Sequence, residues 1–339
     1  MKIYEDADLK NLSFLQIGGT VKNLIEVENE GEIKKIVEMK ESENLPIMII
    51  GEGSNIVFND GLHNKTFVKI KIDEILKVYE DNFGANIDVG AGTNWDKLVE
   101  WSVKNNFSGL ELLSGIPGSV GACPVQNIGA YGQEISNVLT HVRTFDLETK
   151  ELFEITNQDC DFQYRNSIFK KNPGRFIILN VSFRLSKKKP EMPVYKDLAI
   201  YFLTKKNKKP TLREIRKAVL EIRSAKLPNP QTDPNCGSFF KNPIVTTVVA
   251  NELISKFKDI PQYKAEAGFV KLSGGWLIEK SGFKGKDMGK IRVSEKSALV
   301  LINKGNATFA DLINTRDKII DGVKKNFGVT IEVETNLIE

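Results

Sequence analysis

Ser114-Gly115-Ile116-Pro117-Gly118-Ser119-Val120-Gly121-Ala122, continuing through Cys123-Pro124-Val125 into Gln126-Asn127-Ile128-Gly129-Ala130-Tyr131-Gly132, is the stretch of this chain least able to form a helix or a strand. Its nineteen residues hold five glycines, two prolines and no charged side chain. Glycine frees the backbone and proline removes a donor, so the segment must wind. Two readings stand: a turn region, or backbone wrapped closely around a flat or phosphorylated ligand where any Cβ would clash. A second glycine-rich stretch, Gly51-Glu52-Gly53-Ser54-Asn55, follows the apolar run Ile47-Met48-Ile49-Ile50. A strand feeding a glycine loop can converge N–H groups on an anion, or simply make a tight turn. It is neither the dinucleotide G-x-G-x-x-G nor a Walker A loop, which needs Gly-Lys-Ser/Thr. Two such loops together favour a large nucleotide-type cofactor.

The composition sets the outer limits. At 339 residues the chain has room for two or three domains, and 41% hydrophobic with 27% charged residues describes an ordinary globular protein. Only two histidines occur, His63 and His141, which excludes most triad hydrolase schemes and most zinc enzymes, and no metal is expected. No run approaches about 18 apolar residues, so no membrane contact is expected. The acidic start, Met1 to Asp8, lacks the core of a signal peptide. Cys123, Cys160 and Cys236 show no close pairing pattern, which favours free thiols in a reducing compartment and a cytoplasmic protein. The net charge is +4, and the basic runs at Lys187–Lys189 and Lys205–Lys209 lack interleaved aromatics, so they read as solvated surface and no nucleic-acid partner is expected.

Periodicity places the remaining elements. Ile33, Ile36 and Val37 share one helical face, and Trp95, Leu98 and Val99 do so in a helix over 94–104. Residues 87–92 read as strand and turn, and strands are expected at 142–146, 151–155 and 176–183. A helix is expected over 211–226, and Pro228-Asn229-Pro230 is the best domain boundary. A helix over 245–257 and a long helix opening at Thr308 follow. Thr308 and Asp311 have capping-box spacing, and Phe309, Leu312, Ile313, Ile319, Ile320, Val323 and Phe327 supply its apolar stripe. Ile331 and Val333 alternate with Glu332 and Glu334 as in a closing strand.

Gln163-Tyr164-Arg165-Asn166-Ser167-Ile168-Phe169 and Gly237-Ser238-Phe239-Phe240-Lys241-Asn242-Pro243 stand out as site-like. Taken singly, Arg165 reads as a surface ion pair, Ser238 as a turn serine, and Glu332 and Glu334 as the wet face of an edge strand.

With Lys226-Leu227-Pro228, Gly275-Trp276-Leu277-Ile278-Glu279 and Glu332-Val333-Glu334, these motifs and both glycine loops resemble the UDP-N-acetylenolpyruvoylglucosamine reductases over nearly the whole chain. The resemblance implies an α+β fold: a PCMH-type FAD-binding domain of two subdomains with a third α/β substrate-binding domain. It divides the chain as 1–74 plus 329–339, 75–226, and 227–328. Noncovalent FAD would be held by Gly51, Glu52, Gly53, Ser54, Asn55, Ser114, Gly115, Ile116, Pro117, Gly118, Gly121, Ala122, Asn127, Gly129, Ala130, Tyr131 and Gly132. NADPH would reduce the flavin and leave, and the flavin hydride would go to the methylene carbon of a UDP-sugar enolpyruvyl ether. That reaction belongs to peptidoglycan synthesis, and so to cell-wall biogenesis, cell shape and division.

In the family's roles, Arg165 and Glu334 hold and polarise the substrate carboxylate and Ser238 delivers the proton; Glu334 would have to carry a proton to approach that carboxylate. Tyr164, Tyr195, Lys226 and Asn242 would bind substrate, Tyr195 within the Val194-Tyr195-Lys196-Asp197-Leu198 loop found in one of the family's two types. Ser297 stands where some relatives carry a substrate-contacting glutamine, a contact that is either lost or passed to Lys296. A monomer is the family habit. Two other functions compete: a different PCMH-type flavin oxidoreductase, such as a lactone oxidase with covalent flavin, and a non-catalytic UDP-sugar binding protein. The glycine loops hold no histidine for covalent attachment, and a binding protein has no need of Arg165, Ser238 and Glu334 together.

Overall fold

The computed structural model describes residues 1–43 and 45–339, with the backbone alone at 40–43. The chain separates into two compact units. The first comprises Met1–Ala7, Val21–Glu52 and His63–Arg223, and the second Asp8–Thr20, Gly53–Leu62 and Ser224–Glu339.

The first unit is built on two sheets. In the smaller, the strands run in the order Lys2–Asp8, Thr20–Val27, Leu62–Ile70, Ile47–Ile50, and the last pair is parallel with Ile47 opposite Thr66. The preceding helix, Ile33–Glu43, buries Ile33, Ile36 and Val37 as the periodicity requires. The larger sheet is antiparallel, in the order Glu151–Thr156, Leu139–Asp146, Phe176–Ser186, Gly84–Gly90, Ile75–Glu80. Along Phe176–Ser186 the odd positions from Ile177 to Leu185 are buried, while Asn180 and Arg184 are partly exposed and Ser182, buried, bonds Asp88 and His141. Helix Trp95–Lys104 opens on Asn94, whose side chain accepts from the Lys97 N–H, and buries Trp95 against Phe183 with ring centroids 6.3 Å apart. The Trp95 indole N–H donates to the Leu113 carbonyl at 3.0 Å, so this buried ring also fixes the entry to the glycine-rich segment. Helices Lys196–Thr204 and Leu212–Lys226 close a small core of their own around Leu198, Phe202, Ile215, Ala218 and Val219.

The second unit packs around Phe239, Phe240, Leu277, Ile278, Leu312, Ile319 and Val323. Its long helix runs Phe309–Phe327, and both bonds of the Thr308/Asp311 capping box form. Gly328 ends it at φ 69°, a left-handed cap that glycine adopts without strain.

Two sequence expectations need correction. Helix 245–257 begins later, at Thr247, because Ile244–Thr246 pairs as a strand with Phe269–Lys271. The closing strand lies not at 331–334 but at Asn336–Ile338, parallel to Ile56–Phe58. Residues 332–334 face a short irregular partner between Gly237, at φ 69°, and Pro243, which has no N–H to donate. Only Phe240 and Val333 form a bridge there, with two flanking bonds: Lys241 N–H to the Glu332 carbonyl at 2.8 Å and Glu334 N–H to the Phe239 carbonyl at 2.7 Å. The expected three-part division by ligand remains a proposal, since compactness sorts a chain by packing and not by what each part binds.

All three cysteines are free and buried. Burial pushes the Cys160 thiol up to about 12 and Cys236 up to about 11, and raises Cys123 as well. Because only the thiolate attacks disulfide reagents, the native protein should release no thiol equivalent at pH 8 within minutes. Unfolding should release three. A fast equivalent from folded protein would contradict this burial.

Candidate active site

In the first unit the two glycine-rich loops meet. A Cβ built on Gly51 would come 3.2 Å from the Ala122 Cβ and 3.3 Å from the Ser119 Oγ, both in the long glycine segment. That segment is laid backbone to backbone on the exit of the Gly84–Gly90 strand. Gly121 N–H donates to Ala91 at 2.9 Å, Val120 N–H to Thr93 at 2.8 Å, and Trp95 N–H to Gly118 at 2.9 Å. A Cβ on Gly121 would lie 2.6 Å from the Ala91 Cβ, so only glycine permits the approach. Asp96 ties down the start of the segment: its Oδ1 accepts the Gly115 N–H at 2.7 Å, and the Arg216 fork binds both its oxygens at 2.6 and 2.7 Å. Burial pushes the Asp96 carboxyl up, but the Arg216 hydrogen bonds, the Gly115 N–H and the Arg223 charge outweigh it and hold it below the usual carboxylate range.

The charges suit an anionic ligand. Glu52, the one acid in the shorter loop, is matched by Lys69 at 3.3 Å and Lys71 at 4.0 Å, leaving an excess of positive charge beside Gly51. Arg223 adds a mostly desolvated guanidinium near Gly115 and Tyr131. Gly53, by contrast, has a packing reason. At φ 78° its Cβ would sit 1.7 Å from the Leu12 carbonyl oxygen, a contact within the second unit, to which both residues belong.

Arg165 occupies the tip of a tight turn closed by reciprocal 3.1 Å bonds between Gln163 and Asn166. Its backbone is left-handed, φ 56°, which costs an ordinary residue about 1–2 kcal/mol. The guanidinium lies 5.4 Å from the Tyr164 ring centroid and donates from Nη2 to the Gly129 carbonyl at 3.2 Å. Asn127, buried at φ 44°, donates to Glu134 at 2.7 Å and to the Gln163 carbonyl at 3.4 Å. The glycine segment and the Arg165 turn are thus brought together. Tyr195 stands at the start of helix Lys196–Thr204, its ring 5.2 Å from that of Tyr131 and nearly perpendicular to it.

In the second unit, Ser238 and Glu334 come close through the backbone, since the Glu334 N–H reaches the carbonyl of the next residue, Phe239. Asn55, from the shorter glycine loop, donates to the Glu334 carbonyl at 3.4 Å. Ser238 bridges Val300, and Asn242 accepts the Gly274 N–H at 2.9 Å, so that its oxygen caps a helix. The Lys296 ammonium donates to the carbonyls of Ser224 at 3.2 Å and Leu227 at 3.5 Å, which flank Lys226.

Several organising residues escaped the sequence reading. Asn235, buried, accepts the Gly237 N–H at 2.9 Å and shapes the turn that presents Ser238. An Asn two residues before a Gly is a detectable Asx-turn signal. Asp96, Arg216 and Arg223 gave none, because their partnership depends on a long-range helix contact.

A family model described as an FAD binding domain matches residues 21–155, and one described as UDP-N-acetylenolpyruvoylglucosamine reductase, C-terminal domain, matches residues 229–338. The UDP-N-acetylenolpyruvoylglucosamine reductase of Flavobacterium johnsoniae is 38% identical over the full length of both chains. The chain belongs to the UDP-N-acetylenolpyruvoylglucosamine reductase family. The Salmonella typhimurium reductase is 38% identical, covering 97% of this chain and 95% of its own. The crystal structure of the Thermus caldophilus reductase aligns with 100% of this chain and 98% of its own, at 22% identity and a TM-score of 0.67. The fold is accordingly the expected α+β one, with a PCMH-type FAD-binding domain. The uncharged glycine segment, its excess of nearby positive charge and its Cβ-excluding approaches fit an FAD.

Because the Asp96 carboxyl is held below its ordinary value, its stabilisation is complete above about pH 3.9 and is lost as pH falls further through the folded-state value. Asp96→Asn should therefore lower stability at pH 7 by about 1–3 kcal/mol and weaken FAD retention, with the gap from wild type narrowing below about pH 3.9. Urea titrations at neutral and acid pH read this out. Equal stability at pH 7, or a gap that widens in acid, would contradict it.

Proposed function

We propose that this chain is an FAD-dependent reductase that converts UDP-N-acetylglucosamine enolpyruvate to UDP-N-acetylmuramate in peptidoglycan precursor synthesis, with NADPH as the reductant. The observation that carries this reading is the full-length relationship to reductases of that name, with both family models in their expected order. The domain roles follow the same division: 1–74 with 329–339 and 75–226 around the flavin, and 227–328 over the substrate. The protein works as a cytoplasmic monomer on a small-molecule UDP-sugar.

The net reaction adds a hydride to the enolpyruvyl methylene carbon and a proton to the carbon bearing the ether oxygen, giving a lactyl ether. Bound noncovalently, FAD supplies the hydride. The chain's own task is to meet the charge that develops toward the substrate carboxylate. Preorganised cations and proton donors aimed at such charge are the largest common source of rate enhancement. Arg165 takes the carboxylate; its strained turn and its bond to Gly129 fix the guanidinium before substrate arrives. Glu334 completes the carboxylate site, and Ser238 delivers the proton to the adjacent carbon. A serine hydroxyl is a weak acid, so it recovers its proton through water. Tyr195 and Lys226, with Tyr164 and Asn242, hold the rest of the substrate. Lys296 helps by tying down the backbone on both sides of Lys226.

The test separates the two half-reactions. Ser238→Ala should bind FAD and be reduced by NADPH at a near-normal rate, while reoxidation by the enolpyruvyl substrate falls by about 10²–10⁴-fold. Ser238→Cys should retain more of it. Stopped-flow spectra of the flavin follow each step. Reoxidation of the alanine variant at the wild-type rate would remove Ser238 from the mechanism.

A further inference from the structure

Tyr131 sits where a tyrosine is a poor choice. Gly129 pairs with Glu134 and Ala130 with Gln133, so Tyr131-Gly132 forms the two-residue loop of a hairpin. Both loop residues have positive φ, 53° and 86°. That geometry fits the right-handed twist of the strands and favours Asn-Gly, whereas a bulky side chain at the first position is an outlier. Strain that persists at such a residue points to use of its side chain. Here the ring leaves the loop and meets Tyr195 edge to face, centroids 5.2 Å apart at 87°. It also packs against the small helical core of Leu198, Phe202 and Val219, to which the glycine segment contributes no other member. The same hairpin holds Arg165 through the Gly129 carbonyl.

We infer that Tyr131 is a positioning residue for substrate binding, holding the Tyr195 ring in place from the tip of the 129–134 hairpin. This deepens the reductase reading and rests on it. One short hairpin then sets two groups on the substrate side, Arg165 through its first strand and Tyr195 through its turn. A tyrosine held edge-on loses little further freedom when it closes on a ligand. Edge-to-face pairs of this kind contribute enough to shift an equilibrium about two- to tenfold.

The decisive substitution is Tyr131→Asn, which installs the turn pair that the geometry prefers. Although the resemblance puts Tyr131 among the FAD-holding residues, its ring is engaged with Tyr195 and the helical core, which leaves the flavin its backbone. FAD stoichiometry and melting temperature should therefore hold, while KM for the enolpyruvyl substrate rises about two- to tenfold with a smaller change in kcat. Tyr131→Phe, which keeps the ring, should restore the wild-type KM. In a cycle with Tyr195→Leu, the second substitution should add little to the first. The inference is overturned if Tyr131→Asn unfolds the protein or strips FAD, if KM does not move, if Phe fails to rescue, or if the two effects multiply. A wild-type protein that binds FAD but does not turn over the enolpyruvyl substrate overturns the reductase reading, and the inference with it.

Discussion

The first unit depends on one close approach, the glycine segment laid on the backbone that follows the Gly84–Gly90 strand. Three hydrogen bonds, from Gly121, Val120 and Trp95, hold the two backbones together, and the clearance at Gly121 excludes even a methyl group. Buried backbone groups must be paired, and here that demand is met without regular secondary structure. The arrangement fixes where the segment starts, at Gly115 on the Asp96 carboxylate, and where it leads, into the hairpin that ends at Glu134. It also brings Ala122 and Ser119 up to Gly51, so that two loops far apart in sequence become one surface.

Part of the chain's left-handed backbone lies in the same place. Asn127, Tyr131 and Arg165 all adopt left-handed backbone, and all are linked through the hairpin or its neighbours. Asn tolerates that conformation; Tyr and Arg do not do so readily. Such residues persist only where surrounding bonds over-determine them. The reciprocal Gln163–Asn166 bonds do this for Arg165, and the Gly129–Glu134 pairing does it for Tyr131. Rigid placement of a cation suits the carboxylate role proposed for Arg165.

Much of this was legible in the residues. The helices at 33–43, 95–104 and 309–327 follow from apolar periodicity, and the last from its capping box. The two glycine loops were visible as loops, though not their meeting, which arises from parallel pairing of 47–50 with 62–70 and from a backbone ladder that no local pattern encodes. Gly53 shows the limit of motif reasoning. Its glycine answers to the Leu12 carbonyl, a contact that composition cannot reveal. The closing strand slipped because alternation at 331–334 is set by burial of Ile331 and not by a ladder, and the partner segment is interrupted by Pro243. Arg165, Ser238 and Glu334 were singled out by their flanking motifs, but the turn that strains Arg165 and the Asn235 that shapes the Ser238 loop were not visible there.

The central claim is that this chain carries electrons from NADPH to an enolpyruvyl ether on a flavin it holds noncovalently. An anaerobic titration of the purified protein tests it most directly, with the flavin spectrum followed throughout. One equivalent of NADPH should bleach the absorbance near 450 nm, a wavelength set by the flavin itself and not by the protein. Addition of UDP-N-acetylglucosamine enolpyruvate should then restore it in full. Protein that carries no flavin, or bleached flavin that the enolpyruvyl substrate leaves bleached while oxygen restores it, would contradict the account.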